Sequence, residues 1–353
     1  MTDTAGSQAT QAPTGAPVVD EPVADSASTE SGGIGGLING VRDWADALQR
    51  RHSVFGFPYA VVKKYGDDEG GRHAALLTYY GFLSIFPVLL LVVFVVSTAL
   101  RDNAELRVRV IDAIVPDQFQ NTVDSAMLAL PTGGLPLVIG VVAALFTGLG
   151  IVFSTYQTLN HVAGVPHRLR LEFFPRYLRI VAMLLLLVLG AAGVGVLTVL
   201  SGSIVEIQNV SSLAAFAGTA GIVFLLMWAA TALLLPHRAR FRIVWPAALL
   251  GSLAIAGLLT FGTTLLPRFV ARSGPVYGSF ATIAGIFALL YLVSQVVVYA
   301  AEIAIVRHRR LWPRALDMLN PTEADRRALQ YLAREQERIR IQRIHADFDA
   351  DPS

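Results

Sequence analysis

The chain has 353 residues and a formal net charge of +2, with 54% hydrophobic and only 15% charged residues, where a soluble domain usually carries about a quarter charged. It contains no cysteine, which excludes disulfide frameworks and thiolate metal centres. The near-balanced charge also argues against an electrostatic nucleic-acid surface.

Residues 1–33 are rich in Thr, Ala, Ser, Gly and Pro, with Asp3, Asp20, Glu21, Asp25 and Glu30. There is no basic stretch followed by an apolar one, so a signal peptide is not expected. Such a composition predicts a disordered cytoplasmic tail. Residues 34–72 form the next segment. Ile34, Leu37, Ile38, Val41, Trp44 and Leu48 recur at three- and four-residue spacing, an amphipathic helix pattern. This helix either lies in the membrane interface or packs on the cytoplasmic face of a bundle. Asp67-Asp68-Glu69, Gly70, Gly71 and His73 follow. They read as a solvated juxtamembrane turn rather than a divalent-ion site.

Six apolar stretches then run over 75–100, 135–157, 177–200, 213–235, 243–266 and 280–305. Each is long enough to cross about 30 Å of hydrocarbon as a helix. The fold class is therefore all-α: a polytopic membrane protein with a six-transmembrane-helix bundle and flanking amphipathic helices, the membrane domain covering 73–310. Fourteen Lys and Arg lie close to the spans on one side, among them Lys63, Lys64, Arg168, Arg170, Arg238, Arg309 and Arg314. Only Arg101, Arg107, Arg109, Arg268 and Arg272 lie on the other. The positive-inside rule places both termini in the cytoplasm. The longest outer loop, 101–134, carries two short amphipathic patterns separated by Pro116.

Within the spans, Gly140, Ala144 and Gly148, then Gly190 to Gly195, Gly251, Gly257 and Gly262, and Gly278, Ala281 and Gly285 permit close helix approach. A compact bundle accounts for them; a sliding interface for transport is the sharper reading. Pro87 in the first span removes a backbone hydrogen bond, and Ser84 is placed to satisfy a freed group. Tyr79 and Tyr80 stand just before it. This is either an aromatic belt with a packing kink or a bent helix lining a cavity. Glu302 closes the last span, with Tyr291, Gln295 and Tyr299 on neighbouring turns. A carboxylate there needs a partner, and Arg168, Arg170 and Arg238 are the expected ones. It reads as an ion pair or as a substrate or proton site. Ser154, Gln157 and Asn160 make a polar row at the end of the second span, followed by His161 and His167; structural contacts are the expected role.

Residues 311–353 read as a cytoplasmic helix and tail. Asn320 as cap, Pro321 in first position and Glu323 in third mark its start. Alternating Glu and Arg carry the helix to Arg340, and it is expected to be mostly solvated or to meet a partner. The alternating acids of the last residues lack the Gly and terminal Glu of a calcium loop.

Three stretches carry a family resemblance. They are Leu77-Thr78-Tyr79-Tyr80-Gly81-Phe82-Leu83-Ser84-Ile85-Phe86-Pro87; Thr158-Leu159-Asn160 with the basic Arg168 to Arg170; and Tyr277-Gly278-Ser279 through Ala300-Ala301-Glu302. In order and spacing they resemble the YihY/BrkB family of six-span bacterial membrane proteins, and within it the YhjD branch. Ala300 stands where that family often has Gly, and Tyr291 with small apolar residues replaces the Trp usual in the last span. The resemblance implies a cell-envelope role, associated with lipopolysaccharide-precursor export and resistance to serum killing. Tyr79, Tyr80, Ser84, Pro87, Asn160, Arg168, Arg170, Tyr277, Gly278, Gln295 and Glu302 together form the candidate polar site, serving either a substrate or the structure. The family has also carried a ribonuclease label, which these residues do not support.

The expectation is a non-enzymatic protein of the bacterial inner membrane, without cofactor, metal or nucleic-acid partner. A transporter or flippase-like role for a lipid or related amphiphile leads. A non-catalytic scaffold in an envelope-assembly complex, meeting an envelope protein through the C-terminal helix, comes second, and a ribonuclease last.

Overall fold

The computed structural model describes residues 53–99, 135–204, 208–236, 241–272, 274–316 and 321–348. The expected tail at 1–33, the helix at 34–51, the outer loop at 101–134 and Arg238 lie outside them. The described residues are helical, without a strand. In chain order they form α1 (Ser53–Asp67), α2 (Gly70–Ala99), α3 (Leu135–Val162), a 3₁₀ turn (His167–Leu169), α4 (Phe173–Ile204), α5 (Gln208–Leu234), α6 (Phe241–Arg272), α7 (Gly274–Arg309) and α8 (Glu323–Glu335). Among the described residues, α3 to α7 each hold a segment of 20 to 30 residues long and apolar enough to cross a membrane. The remaining expected span is α2, 30 residues long with Arg72 its one formal charge.

These six helices close a ring. Each packs on the next in chain order, and α7 returns to pack on α2. Further contacts of α3 with α5 and α7 cross the ring. Side chains facing away include Ile139 and Phe146 on α3, Leu185 and Leu189 on α4, and Phe261 and Phe280 on α6 and α7, all exposed. A belt of large exposed apolar residues suits a surface that meets hydrocarbon rather than water. Inside, Val152, Tyr156 and Leu159 of α3 pack with Ile180 and Met183 of α4 and Ala230 and Leu234 of α5.

Close approach falls on particular glycines. A Cβ at Gly150 would run into the ring of Tyr80, at Gly148 it would meet Leu184 at 2.8 Å, and at Gly251 it would meet Met227 at 2.8 Å. Gly190 and Gly262 likewise receive Leu226 and Leu289. Gly195 and Gly257 have nothing within 4 Å, so the small-residue pattern overstates the packed positions.

The C-terminal segment departs from expectation at both ends. Its cap is Thr322, which accepts from the Asp325 amide while the Asp325 side chain accepts from the Thr322 amide. This reciprocal box lies two residues beyond the expected start, because Thr322 and Asp325 satisfy two orphan donors together. The helix stops at Glu335 rather than Arg340. It is not mostly solvated. Ala324, Asp325, Ala328 and Glu335 are buried, and the Arg309 guanidinium lies 3.7 Å over the ring of Tyr331.

Candidate functional site

All six ring helices line a half-open cavity of about 290 Å³. Leu77, Val152, Leu187, Leu226, Ala248 and Val297 represent the lining from α2 to α7. The polar side chains reaching it are Thr155, Thr231 and Ser294. Thr155 already donates to the Ile151 carbonyl at 2.9 Å and Thr231 to the Trp228 carbonyl at 2.8 Å. Backbone carbonyls thus occupy both threonine protons, Ser294 accepts from the Thr78 hydroxyl at 3.2 Å, and the cavity lining is predominantly hydrocarbon.

At the arginine-rich end, Glu302 of α7 is fully buried. Its partner is Lys64 of α1, with Nζ 2.9 Å from Oε2. This corrects the expectation of an arginine partner. Arg168 pairs with Glu337 at 2.6 Å and Arg170 with Glu335 at 2.5 Å. Lys64 also donates to the Val162 carbonyl at 3.0 Å and to the Asp68 carboxylate. One ammonium therefore donates to two acceptors while standing in ion-pair contact with Glu302. Asp68 is 2% exposed, so the acidic turn is not a solvated one. Burial raises its carboxyl above the ordinary value against the pull of Lys64. Its neighbour Asp67 binds Arg314 at 2.7 Å, whereas Glu69 with Arg72 is an exposed pair.

A second cluster fixes the C-terminal segment to α1. Asp325 accepts from Arg314 Nε at 2.6 Å, Lys63 Nζ at 2.9 Å and the Ala315 amide at 2.8 Å. Burial alone would raise this carboxyl, but the Ala315 amide, Thr322, Arg314 and Lys63 outweigh it and hold it well below the usual carboxylate range. Phe57 meets Trp312 edge-on at 5.4 Å beside it.

On the outer flank of the α2–α3 pair lies a polar groove of about 760 Å³. Arg72, His73, Gln157, His161, Arg170 and Arg338 line its polar wall, with Leu76, Tyr80 and Phe153 on the apolar one. His73 Nδ1 sits 3.1 Å from the Thr158 hydroxyl, and its ring lies 4.9 Å from that of His161.

The expected polar site divides among these places. Tyr80 and Arg170 line the outer groove, whereas Tyr79 is exposed. Ser84 does not serve the group that Pro87 frees: its hydroxyl donates to the Gly81 carbonyl at 2.7 Å, while Pro87 frees that of Leu83. Asn160, fully buried, donates to the Leu234 carbonyl at 3.1 Å and closes the end of α5. Gln295 does not join Glu302; it lines a separate groove between α6 and α7 with Ala254, Leu258 and Phe261. Tyr277 and Gly278 stand in the first turn of α7, far along the helix from Glu302, and their side chains are outside the described ones. Lys64, Asp68 and Glu335 were not among the expected site residues. The Lys64–Asp68 spacing of four was the available signal.

Residues 61–323 match the family model described as Virulence factor BrkB. That is most of the chain. The protein belongs to the BrkB family. Together with the apolar helices, BrkB-family membership makes it an integral membrane protein. No curated protein and no solved structure matches the chain.

Proposed function

We propose that this BrkB-family protein is a transporter or flippase-like protein of the bacterial inner membrane, moving a lipid or related amphiphile without catalysing a reaction. Both termini face the cytoplasm in this reading, following the arginine-rich end. The observation that carries it is the cavity of about 290 Å³ lined by all six ring helices. Its size is near the lower end of the roughly 300–1,000 Å³ of ligand pockets. An apolar lining suits an acyl chain and disfavours a bare ion, which needs ligands in place of its hydration shell. Beside it, a polar groove lined by Arg72 and Arg338 together with Asp67, Glu69 and Glu335 offers contacts of both signs for a polar headgroup. A non-enzymatic role is supported by the partners of Asp67, Asp68 and His73, which ion pairs and Thr158 already engage.

Purified protein in liposomes is expected to accelerate translocation of a labelled anionic lipid, and Glu302→Gln to slow it. Rates equal to those of protein-free vesicles would sink the proposal. The scaffold reading draws on the exposed Ile339 and Ile341 beyond α8. It predicts that deleting 320–353 abolishes function while the ring stays folded.

A further inference from the structure

Glu302, Lys64 and Asp68 bring two carboxylates and one ammonium together in a buried space. Among the described residues, the two carboxylates share one salt-bridging cation, Lys64. Arg309 of α7, the next cation, borders the same small cavity as Lys64 and Asp68 but directs its guanidinium to the Ala163 carbonyl and the Tyr331 ring rather than to either carboxylate. His161 of α3 is held by Glu335, 2.8 Å from its Nδ1. Arg314 is engaged by Asp67 and Asp325. Arg72 pairs with Glu69, and His73 lies behind the His161 ring. The remaining titratable neighbours, Tyr65 of α1 and Tyr291 and Tyr299 of α7, are phenols. Tyr65 stacks on Tyr299 at 4.1 Å, and burial first, then its neighbours, pushes its hydroxyl up to about 12, so it stays neutral.

An unpaired buried charge is costly, and a carboxylate avoids the cost by taking a proton. The geometry says which one. Asp68 accepts a hydrogen bond from Lys64. Neither oxygen of Glu302 accepts a well-aligned hydrogen bond, although Lys64 lies within 2.9 Å. Glu302 is thus the carboxylate least compensated for losing water. A route outward is also present. Asp68 borders a cavity of about 20 Å³ with Lys64, His161 and Arg309, enough for about one water. His161 borders this cavity without relaying the proton, because its Nε2 lies 3.2 Å from the Asp68 backbone carbonyl and its Nδ1 2.8 Å from the Glu335 carboxylate.

We propose that Glu302, Lys64 and Asp68 form an exchangeable proton site: Glu302 holds one proton, which is released through the Asp68 carboxylate to water in the small cavity beside it. On the transport reading above, on which this clause rests, the proton is the coupling ion. Protonated Glu302 leaves Lys64 to Asp68 in a neutral cluster. Loss of the proton restores the second carboxylate and tightens the α1–α7 contact through Lys64.

Infrared titration of the full chain in liposomes reads the site without any transported lipid. The expected result is one protonated carboxyl band that disappears as the pH is raised, is missing in Glu302→Gln, and shifts to lower pH in Asp68→Asn. Lys64→Met, which removes the cation, shifts it to higher pH. No such band, a band that survives Glu302→Gln, or one that moves with sodium at fixed pH overturns the site. The opposed shifts of the Asp68 and Lys64 variants, which keep Glu302 in place, provide a check independent of how Glu302→Gln folds. In the same vesicles an imposed pH gradient is expected to change labelled-lipid translocation several-fold in the wild type and not in Glu302→Gln. Gradient-independent translocation with the band intact overturns the coupling. A titrating band without any translocation upholds the site and defeats the transport reading.

Discussion

Replacing Asp325 by Ala removes the carboxylate that joins α1, the 311–316 segment and α8. Asp325 is 5% exposed, and Arg314, 2% exposed, donates to it at 2.6 Å. Removing one member of a buried ion pair typically costs about 3–5 kcal/mol. Asp67 remains on Arg314 at 2.7 Å, so the guanidinium keeps one partner. The expected cost falls at the lower limit, about 3 kcal/mol, or roughly a hundredfold in the docking equilibrium. Hydrogen exchange reads this directly, because a docked helix opens as a local unit. Protection of α8 amides should fall roughly a hundredfold, while α7 amides keep theirs. A change in α8 smaller than about threefold would refute the assignment of docking to Asp325. The pH dependence has a definite sign. The folded carboxyl lies below its unfolded value, so its contribution is fully present above about pH 4 and is lost as pH falls through the folded value. α8 protection should therefore be flat through neutral pH and decline only in strong acid.

Three further outcomes follow from individual contacts. Gly150→Leu should lower the thermal midpoint in detergent through the Tyr80 ring, at an overpacking cost of about 1–3 kcal/mol, while Gly257→Ala, with open space around it, should leave the midpoint unchanged. Asn160→Leu strands the buried Leu234 carbonyl at about 1–3 kcal/mol, and exchange at the end of α5 should increase selectively. Arg170→Ala leaves His161 on Glu335 and should raise proteolysis around residues 336–348 without altering the ring.

The six spans were legible because a run of twenty apolar residues has one main use in a chain, and caps or loops shift only its ends. The order of the ring was not legible, because lipid-facing and partner-facing leucines look alike in a membrane helix. Leu184 receives Gly148 and Leu185 faces outward, yet nothing in their identity separates them. Glu302 stood out as an acid at the end of a span, but its partner did not. Lys64 lies in a helix before the first span and reaches Glu302 only once α1 packs on α7. The C-terminal docking was hidden for a different reason. Its contact surface joins Asp325, Glu335 and Glu337 to a short apolar stripe of Ala324, Ala328 and Tyr331, in which two of the three apolar residues are alanines and announce little. Charges that look solvated in sequence are here the docking groups.

The central claim is that an amphiphile passes through the ring cavity. The direct measurement is translocation of a labelled anionic lipid in liposomes carrying the wild type or Ala248→Trp, which places an indole in the cavity wall between α6 and its neighbours. With both proteins confirmed as folded by their thermal midpoints, the account predicts rapid translocation by the wild type and a rate near that of empty vesicles for the variant. Equal, rapid translocation by both would contradict a path through the cavity.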